Sequence, residues 1–221
     1  MKNSLKIGLV TSLISASVLS GCASKTSPTP DSQEPAPTHE CCASKPKIVS
    51  MTQEEMAAAW TKAAAPTQQH ALLKDHVGNW NVIVKFWHDP AGQPEISKGV
   101  SHNTLELNGK FLREDFKGKW MGHPFTGKGY TGYDTVKNEF FSTWMDSASP
   151  LMNSMRGKYV SESKSWVFNG DSTCPVSGTT IKSEMISRII DKNHFVVENF
   201  TIHADGSKAK TMEIAYTRAK S

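Results

Sequence analysis

The side chains best suited to chemistry are two carboxylates, Glu114 and Asp146, each inside a segment where apolar and polar residues alternate. Glu114 shares parity with Leu112 and Phe116, and Asp146 shares it with Trp144 and Phe140. In an extended chain, alternate residues face the same side, so both carboxylates are expected to point inward among apolar neighbours. Desolvation would raise their pKa and let them bind a ligand or pass a proton. Two other readings stand beside this one: a buried structural hydrogen bond, or an outward orientation. A second group is His39, Glu40, Cys41 and Cys42. Thiolate and imidazole suit zinc or copper, but adjacent cysteines lack the spacing that closes a tetrahedral site. A disulfide from Cys41 or Cys42 to Cys174 is preferred, and no metal site is expected. Gly127-Lys128-Gly129-Tyr130-Thr131-Gly132 spells G-x-G-x-x-G. A dinucleotide site needs that pattern between a strand and a helix. Here it lies within an extended segment, where glycine permits a bend or bulge. Neither Gly-x-Ser-x-Gly nor His-Glu-x-x-His occurs.

Something must position these residues, and the patterning from Trp80 onward shows what. Trp80, Val82, Val84 and Phe86 alternate with more polar residues. Extended segments follow up to Leu107 and over 111–120, 125–133, 140–146, 179–190, 194–203 and 208–217. Asp89-Pro90-Ala91-Gly92, Asn108-Gly109, Gly122-His123-Pro124, 134–138, Ser149-Pro150, 161–164, Asn169-Gly170-Asp171, 191–193 and Asp205-Gly206 supply turns between them, Asn-Gly being the strongest hairpin signal. No helix-length segment separates the strands, which excludes parallel crossovers. The expected fold is mainly β, a single antiparallel up-and-down barrel of about ten strands, lipocalin-like and closed so that no edge is exposed. Barrels of about eight strands or more begin to have room inside. Val82, Phe86, Trp144, Met152, Met155, Met212 and Ile214 are the candidate cavity wall, since small-molecule pockets are mostly apolar. A helical segment precedes the barrel. Thr52 and Glu55 form a capping box, with Met51 and Met56 as a hydrophobic staple. Met56, Ala59, Trp60 and Ala63 make an apolar stripe expected to pack onto the domain, and a second short helix follows Pro66 over 67–74.

The N-terminus carries a different signal. Lys2 and Lys6 precede an uncharged apolar run from Ile7 to Leu19, too short for a spanning helix of about 20 residues and typical of a secretory signal. Leu19-Ser20-Gly21-Cys22 resembles the bacterial lipobox, in which the Cys22 thiol is lipidated and becomes the new N-terminus. Ala23 follows it, which resembles the outer-membrane sorting signal of hosts with two membranes. The expected organisation is a signal over 1–21, a lipidated Cys22 with a Pro-, Ser- and Thr-rich tether over 22–50, and the barrel over 51–221. The tether cannot bury enough apolar surface to order itself, and as a loose coil it reaches roughly 30 Å. Net charge is +4, or +2 without Lys2 and Lys6, too small and too evenly spread to favour nucleic acid.

Gly78-Asn79-Trp80 opens the strand series and Arg218 ends it. Lipocalins and their relatives place a Gly-x-Trp and a late Arg in this way, the guanidinium stacking on the indole for about 0.5–2 kcal/mol. Further stretches, among them Met51-Thr52-Gln53-Glu54-Glu55-Met56, Lys85-Phe86-Trp87, Gly109-Lys110-Phe111-Leu112, Gly132-Tyr133-Asp134 and Ser142-Thr143-Trp144-Met145-Asp146-Ser147, resemble domain-of-unknown-function family 1579 over nearly all of residues 51–218. The resemblance implies a lipocalin-like or nitrobindin-like barrel and hands over no activity. Residues 171–178 depart from the family pattern, with Thr173-Cys174-Pro175-Val176 in place of an acidic turn. Nitrobindin-type relatives hold haem through a His near the chain end. The last strand here has none, and His194 and His203 on the strand before it are an odd number of residues apart, so haem and other cofactors are not expected. The reading is a lipid-anchored envelope protein that binds a small apolar or amphipathic ligand. The alternatives are an envelope enzyme using Glu114 or Asp146, and a filled structural barrel.

Overall fold

A computed structural model of the chain describes residues 51–174 and 177–220. Cys22, Cys41, Cys42, the signal segment and the tether lie outside the described residues. The first helix, α1 (Gln53–Ala64), begins as its sequence demands: the Thr52 side chain accepts from the Glu55 amide at 3.2 Å, and Glu55 accepts from the Thr52 amide at 2.8 Å. A short helix α2 (Gln68–Leu72) runs directly into a 3-10 turn, Leu73–His76.

Ten strands follow: β1 (Gly78–Phe86), β2 (Glu95–Glu106), β3 (Phe111–Trp120), β4 (His123–Asp134), β5 (Glu139–Asp146), β6 (Ser149–Val160), β7 (Ser165–Thr173), β8 (Thr180–Asp191), β9 (His194–Ile202) and β10 (Lys208–Arg218). They form a closed barrel in which each strand pairs with its sequence neighbours, and β1 pairs antiparallel with β10 from Trp80↔Arg218 to Phe86↔Met212. This is the antiparallel up-and-down barrel expected from the patterning.

Three turns differ from expectation. The one expected at Asn169-Gly170-Asp171 does not form: these residues continue β7, paired with Glu184, Ser183 and Lys182, and Gly170 serves close packing, since a Cβ there would lie 2.7 Å from the Ser154 carbonyl oxygen. The other two differ for local reasons. The β2–β3 turn is left-handed from Leu107 (φ 48°) through Asn108 (φ 63°) to Gly109 (φ 78°), starting one residue before the Asn-Gly pair. The turn expected at Ser149-Pro150 falls two residues earlier, because Asp146 Oδ1 accepts the amides of Ala148 and Ser149 at 2.9 and 3.2 Å. Register shifts occur in the β5–β6, β8–β9 and β9–β10 pairs. The glycines of β4 make no bulge, and its pairing with β3 is continuous from Phe111↔Gly132 to Trp120↔His123.

One end of the barrel is packed solid. Trp80, Phe140 and Trp166 are each 1% exposed, and Leu73, from the 3-10 turn, plugs the same end. Arg218 closes this floor as expected. Its guanidinium lies 4.1 Å from the Trp80 ring centroid, Nη1 donates to the Val77 carbonyl and Nε to the Lys192 carbonyl, both at 2.9 Å. Gly78 has φ 137°, and a Cβ there would sit 2.3 Å from Arg218 Nη1, so both backbone and space require glycine. The stripe on α1 does not pack as expected: the helix buries no residue and Trp60 is 72% exposed. Its described attachment is one bond, from Thr135 Oγ1 to the Ala63 carbonyl at 2.7 Å.

Candidate functional site

Two surface depressions and the barrel interior are the places where a ligand could sit. One depression, about 460 Å³, lies between α1 and the β4–β5 turn and is lined by residues such as Ala59, Lys62, Tyr133 and Val136. The other, about 360 Å³, crosses the outer face of β5–β7 beside Glu139, Arg156 and Lys158. Neither gathers buried titratable groups, whereas the interior does.

Above the floor, inward side chains of a closed barrel can show surface only to the interior space or the mouth. Trp144, Met155, Met212 and Ile214 are inward and partly exposed. The strand registers place Val82 and Phe86 on the same inner face, but Val82 is 2% exposed and belongs to the packed cluster with Trp80 and Val84. Met152 departs from the expected wall in its orientation. It is 62% exposed and pairs with the outward Met145. Met152 and Met155 are three residues apart, and an odd separation puts two strand residues on opposite faces. Met155, opposite Ser142, takes the inner one.

Large rings are stowed against the wall instead of crossing the lumen. A Cβ on Gly99 would lie 2.5 and 2.8 Å from Phe116 Cζ and Cε2, and one on Gly118 2.8 and 2.9 Å from Cζ and Cε1, so the far end of the ring rests over the two glycines. The Trp144 indole lies over β4 in the same manner. A Cβ on Gly127 would be 2.1 Å from Trp144 Cζ2, and one on Gly129 would be 3.1 Å from Trp144 Cε3. The G-x-G spacing therefore makes room for an indole. Asp146 holds that ring down, with Oδ2 accepting from Trp144 Nε1 at 3.0 Å. Asp146 is thus a turn-capping and ring-positioning residue at the rim.

Glu114 stands in the same transverse row, opposite Gly129, which in turn lies opposite Trp144. Its Oε1 accepts from Ser101 Oγ and from Tyr216 Oη, both at 2.9 Å, and Ser101 Oγ is also 2.6 Å from Asn103 Oδ1. Among the described residues no donor reaches Oε2. Burial raises the Glu114 pKa against the opposing effect of the two hydroxyl donors, and Tyr216 is pushed well above its ordinary value by burial and by the neighbouring carboxylate. Along the inward faces of the described strands, Glu114 is the one carboxylate away from the rim, where Glu95 and Asp146 lie. Among the described residues, no inward position above Arg218 holds Lys or Arg.

Several participants carry no sequence signal of their own. Tyr216 and Glu114 are 102 residues apart, and only strand parity hinted that both face inward. An aromatic rim of Phe86, Trp120 and Phe125 was likewise missed apart from Phe86; Phe86 and Trp120 meet edge to face at 4.6 Å. Cys174 sits in the β7–β8 turn, its amide donating to the Thr179 carbonyl at 2.9 Å.

Among the described residues no His stands on the inner wall between the floor and the rim, where a haem-holding His would be needed. His102 faces outward on Asn79, His194 is exposed on Asp191, and His123, the first residue of β4, is exposed at the rim. The buried imidazoles, His70 and His76, belong to the helical floor. His76 Nε2 is engaged with Ser187 Oγ at 3.0 Å.

No curated protein matches this sequence. Among solved structures, Rv2717c from M. tuberculosis aligns with TM-score 0.50 and 12% identity, covering 71% of this chain and 99% of its own; that likeness speaks to the fold alone. Two designed barrels bound to DFHBI also align: EF1p2_mFAP2b, with TM-score 0.36, 13% identity and 68% and 98% coverage, and mFAP0, with TM-score 0.34, 18% identity and 66% and 99% coverage. The family model for proteins of unknown function DUF1579 matches residues 65–218, which is well over half of the sequence, and the chain belongs to that family.

Proposed function

We propose that the upper half of the barrel holds a small apolar or amphipathic molecule, in a protein tethered to a membrane by lipid on Cys22 and lying outside the cytoplasm. The observation that carries the binding reading is the stowage of Phe116 and Trp144 over Gly99, Gly118, Gly127 and Gly129. Filling a barrel needs rings that project across it, as those of the floor do. Backing two of the largest side chains with four glycines draws their rings towards the wall, and each glycine carries a backbone-entropy cost relative to a residue with a side chain. Apolar walls with a few placed polar groups are the usual make-up of a small-molecule site. The envelope reading rests on the basic start, the apolar run and Leu19-Ser20-Gly21-Cys22.

The test is native mass spectrometry of the full chain, expressed with its own N-terminus in bacteria and extracted in a detergent of known mass. The expected spectrum shows a non-covalent adduct that is not the detergent, identifiable by solvent extraction, and an acylated Cys22 at the mature N-terminus. A protein repeatedly free of any such adduct would overturn the binding reading, and an unmodified Cys22 would overturn the anchor.

A further inference from the structure

Resting on that binding reading, we infer that the lumen recognises an organic ammonium group, placed between Glu114 and the Trp144 indole, on a molecule whose apolar remainder lies towards the mouth. Three independent features converge on this chemistry. The first is an imbalance of charge: among the described residues, no Lys or Arg stands on the inner face with Glu114 above the floor. A part-buried carboxylate without a counter-ion is costly, and a bound cation relieves it.

The second is the orientation of the neighbours. Tyr216 Oη donates to Oε1, and Ser101 Oγ lies 2.9 Å from the same oxygen with its one proton shared between Oε1 and Asn103 Oδ1. They leave Oε2 as the acceptor available to a ligand. A carboxylate oxygen and an ammonium N–H make a charge-assisted hydrogen bond, roughly twice as strong as a neutral one. The third is the indole. Trp144 lies along the wall over Gly127 and Gly129, remains partly exposed, and leans over the strand that separates it from Glu114. An aromatic face attracts a cation through its quadrupole, Trp most strongly.

The groups facing Glu114 add no competing positive charge. They are the hydroxyls of Ser101 and Tyr216, the Asn103 amide beyond Ser101, and Trp144 across Gly129. Asp115, next in sequence, points outward to Arg113 and Lys128. At the rim stand Glu95, His123 and Asp146, with His88 3.3 Å from the Glu95 carboxylate.

The experiment compares three probes with one body, 4-phenylbutylamine, 4-phenylbutanol and 4-phenylbutyrate, titrated calorimetrically into the full chain in detergent with the detergent-only heats subtracted. The amine is expected to bind about tenfold or more tighter than the alcohol, as one charge-assisted bond would give, and the acid weakest. Glu114→Gln is expected to abolish the preference and leave alcohol binding in place. Should that variant not fold, the wild type decides by pH. The amine stays protonated from pH 5 to 8, so its advantage should shrink as pH falls through the raised Glu114 pKa, while alcohol binding holds steady. Equal binding of amine and alcohol at pH 8 would overturn the ammonium assignment and leave the binding reading standing. Binding of none of the three would overturn the assignment, and an adduct-free native spectrum alongside it would remove the binding reading as well.

Discussion

The floor of this barrel and the region above it are built from the same ten strands with the same alternation, yet their large side chains are set against different neighbours. At the floor, rings face rings: Phe140 stands 6.2 Å from Trp166 at 90°, His76 4.7 Å from Trp166, and Trp80 4.7 Å from Phe195. Above the floor, Phe116 and Trp144 lie over glycines, and rings meet rings again at the rim, where Phe86 faces Trp120 and Phe116 faces Phe125. Binary patterning alone does not fix how an interior is packed. The register decides whether a large side chain is set against another large one or against a glycine.

The two regions also titrate in opposite directions. In the floor, burial depresses the His76 pKa to about 4, and among the described residues its Nδ1 has no hydrogen-bond partner. The unfolded chain takes up that proton from near pH 6.5 downward while the folded chain refuses it. Stability from His76 is therefore complete above pH 6.5 and falls as pH drops towards 4. Glu114 works the other way. Its raised pKa means that the folded state holds a proton that the unfolded state has already released, so its contribution is greatest in acid and is lost as pH rises through the raised value.

The comparison can be broken or sharpened by experiment, beginning where the effect is largest. Phe140→Ala should cost about 3–5 kcal/mol in chemical denaturation, because Phe140 is 1% exposed and packed among fixed rings; a loss below about 1 kcal/mol would mean that the floor is not the centre of stability. Next, the wild type should lose about 3 kcal/mol from His76 between pH 6.5 and 4, given its pKa of about 4. His76→Asn should flatten that acid limb whatever it does to stability at pH 7, and an unchanged limb would assign the loss elsewhere. Gly127→Val should cost about 1–3 kcal/mol by overpacking. It should also tip the Trp144 indole into the lumen, seen as a changed near-UV circular dichroism signal and loss of the bound adduct. Retention of the adduct would show that the lumen tolerates a displaced indole. Smallest of all, Trp60→Ala on the exposed face of α1 should shift stability by under about 0.5 kcal/mol, and a larger loss would mean that α1 is part of the packed structure.

The fold was legible in the residues to a considerable depth. Alternation and turn residues marked most of the strands, Thr52 and Glu55 marked the start of α1, and Gly78, Trp80 and Arg218 marked the closing end. These are local signals, and each depends on backbone preferences or on neighbours close in sequence. The inward orientation of Glu114 was legible too, since parity is inherited along a strand. Met152 was not, because an apolar side chain reads alike on either face until its partner is known; Met145 opposite it settles the matter.

The sequence by itself determined the secondary structure, the antiparallel order and the residues that seal the floor, because period-two patterning and turn geometry act within a few residues. Only the tertiary structure decided which glycines sit beneath which rings, that Tyr216 and Ser101 converge on one oxygen of Glu114, and that His76 is stranded among aromatics. Those relations join residues up to 111 positions apart. They follow from the register in which the barrel closes, a property of the whole ring of strands and of no single segment.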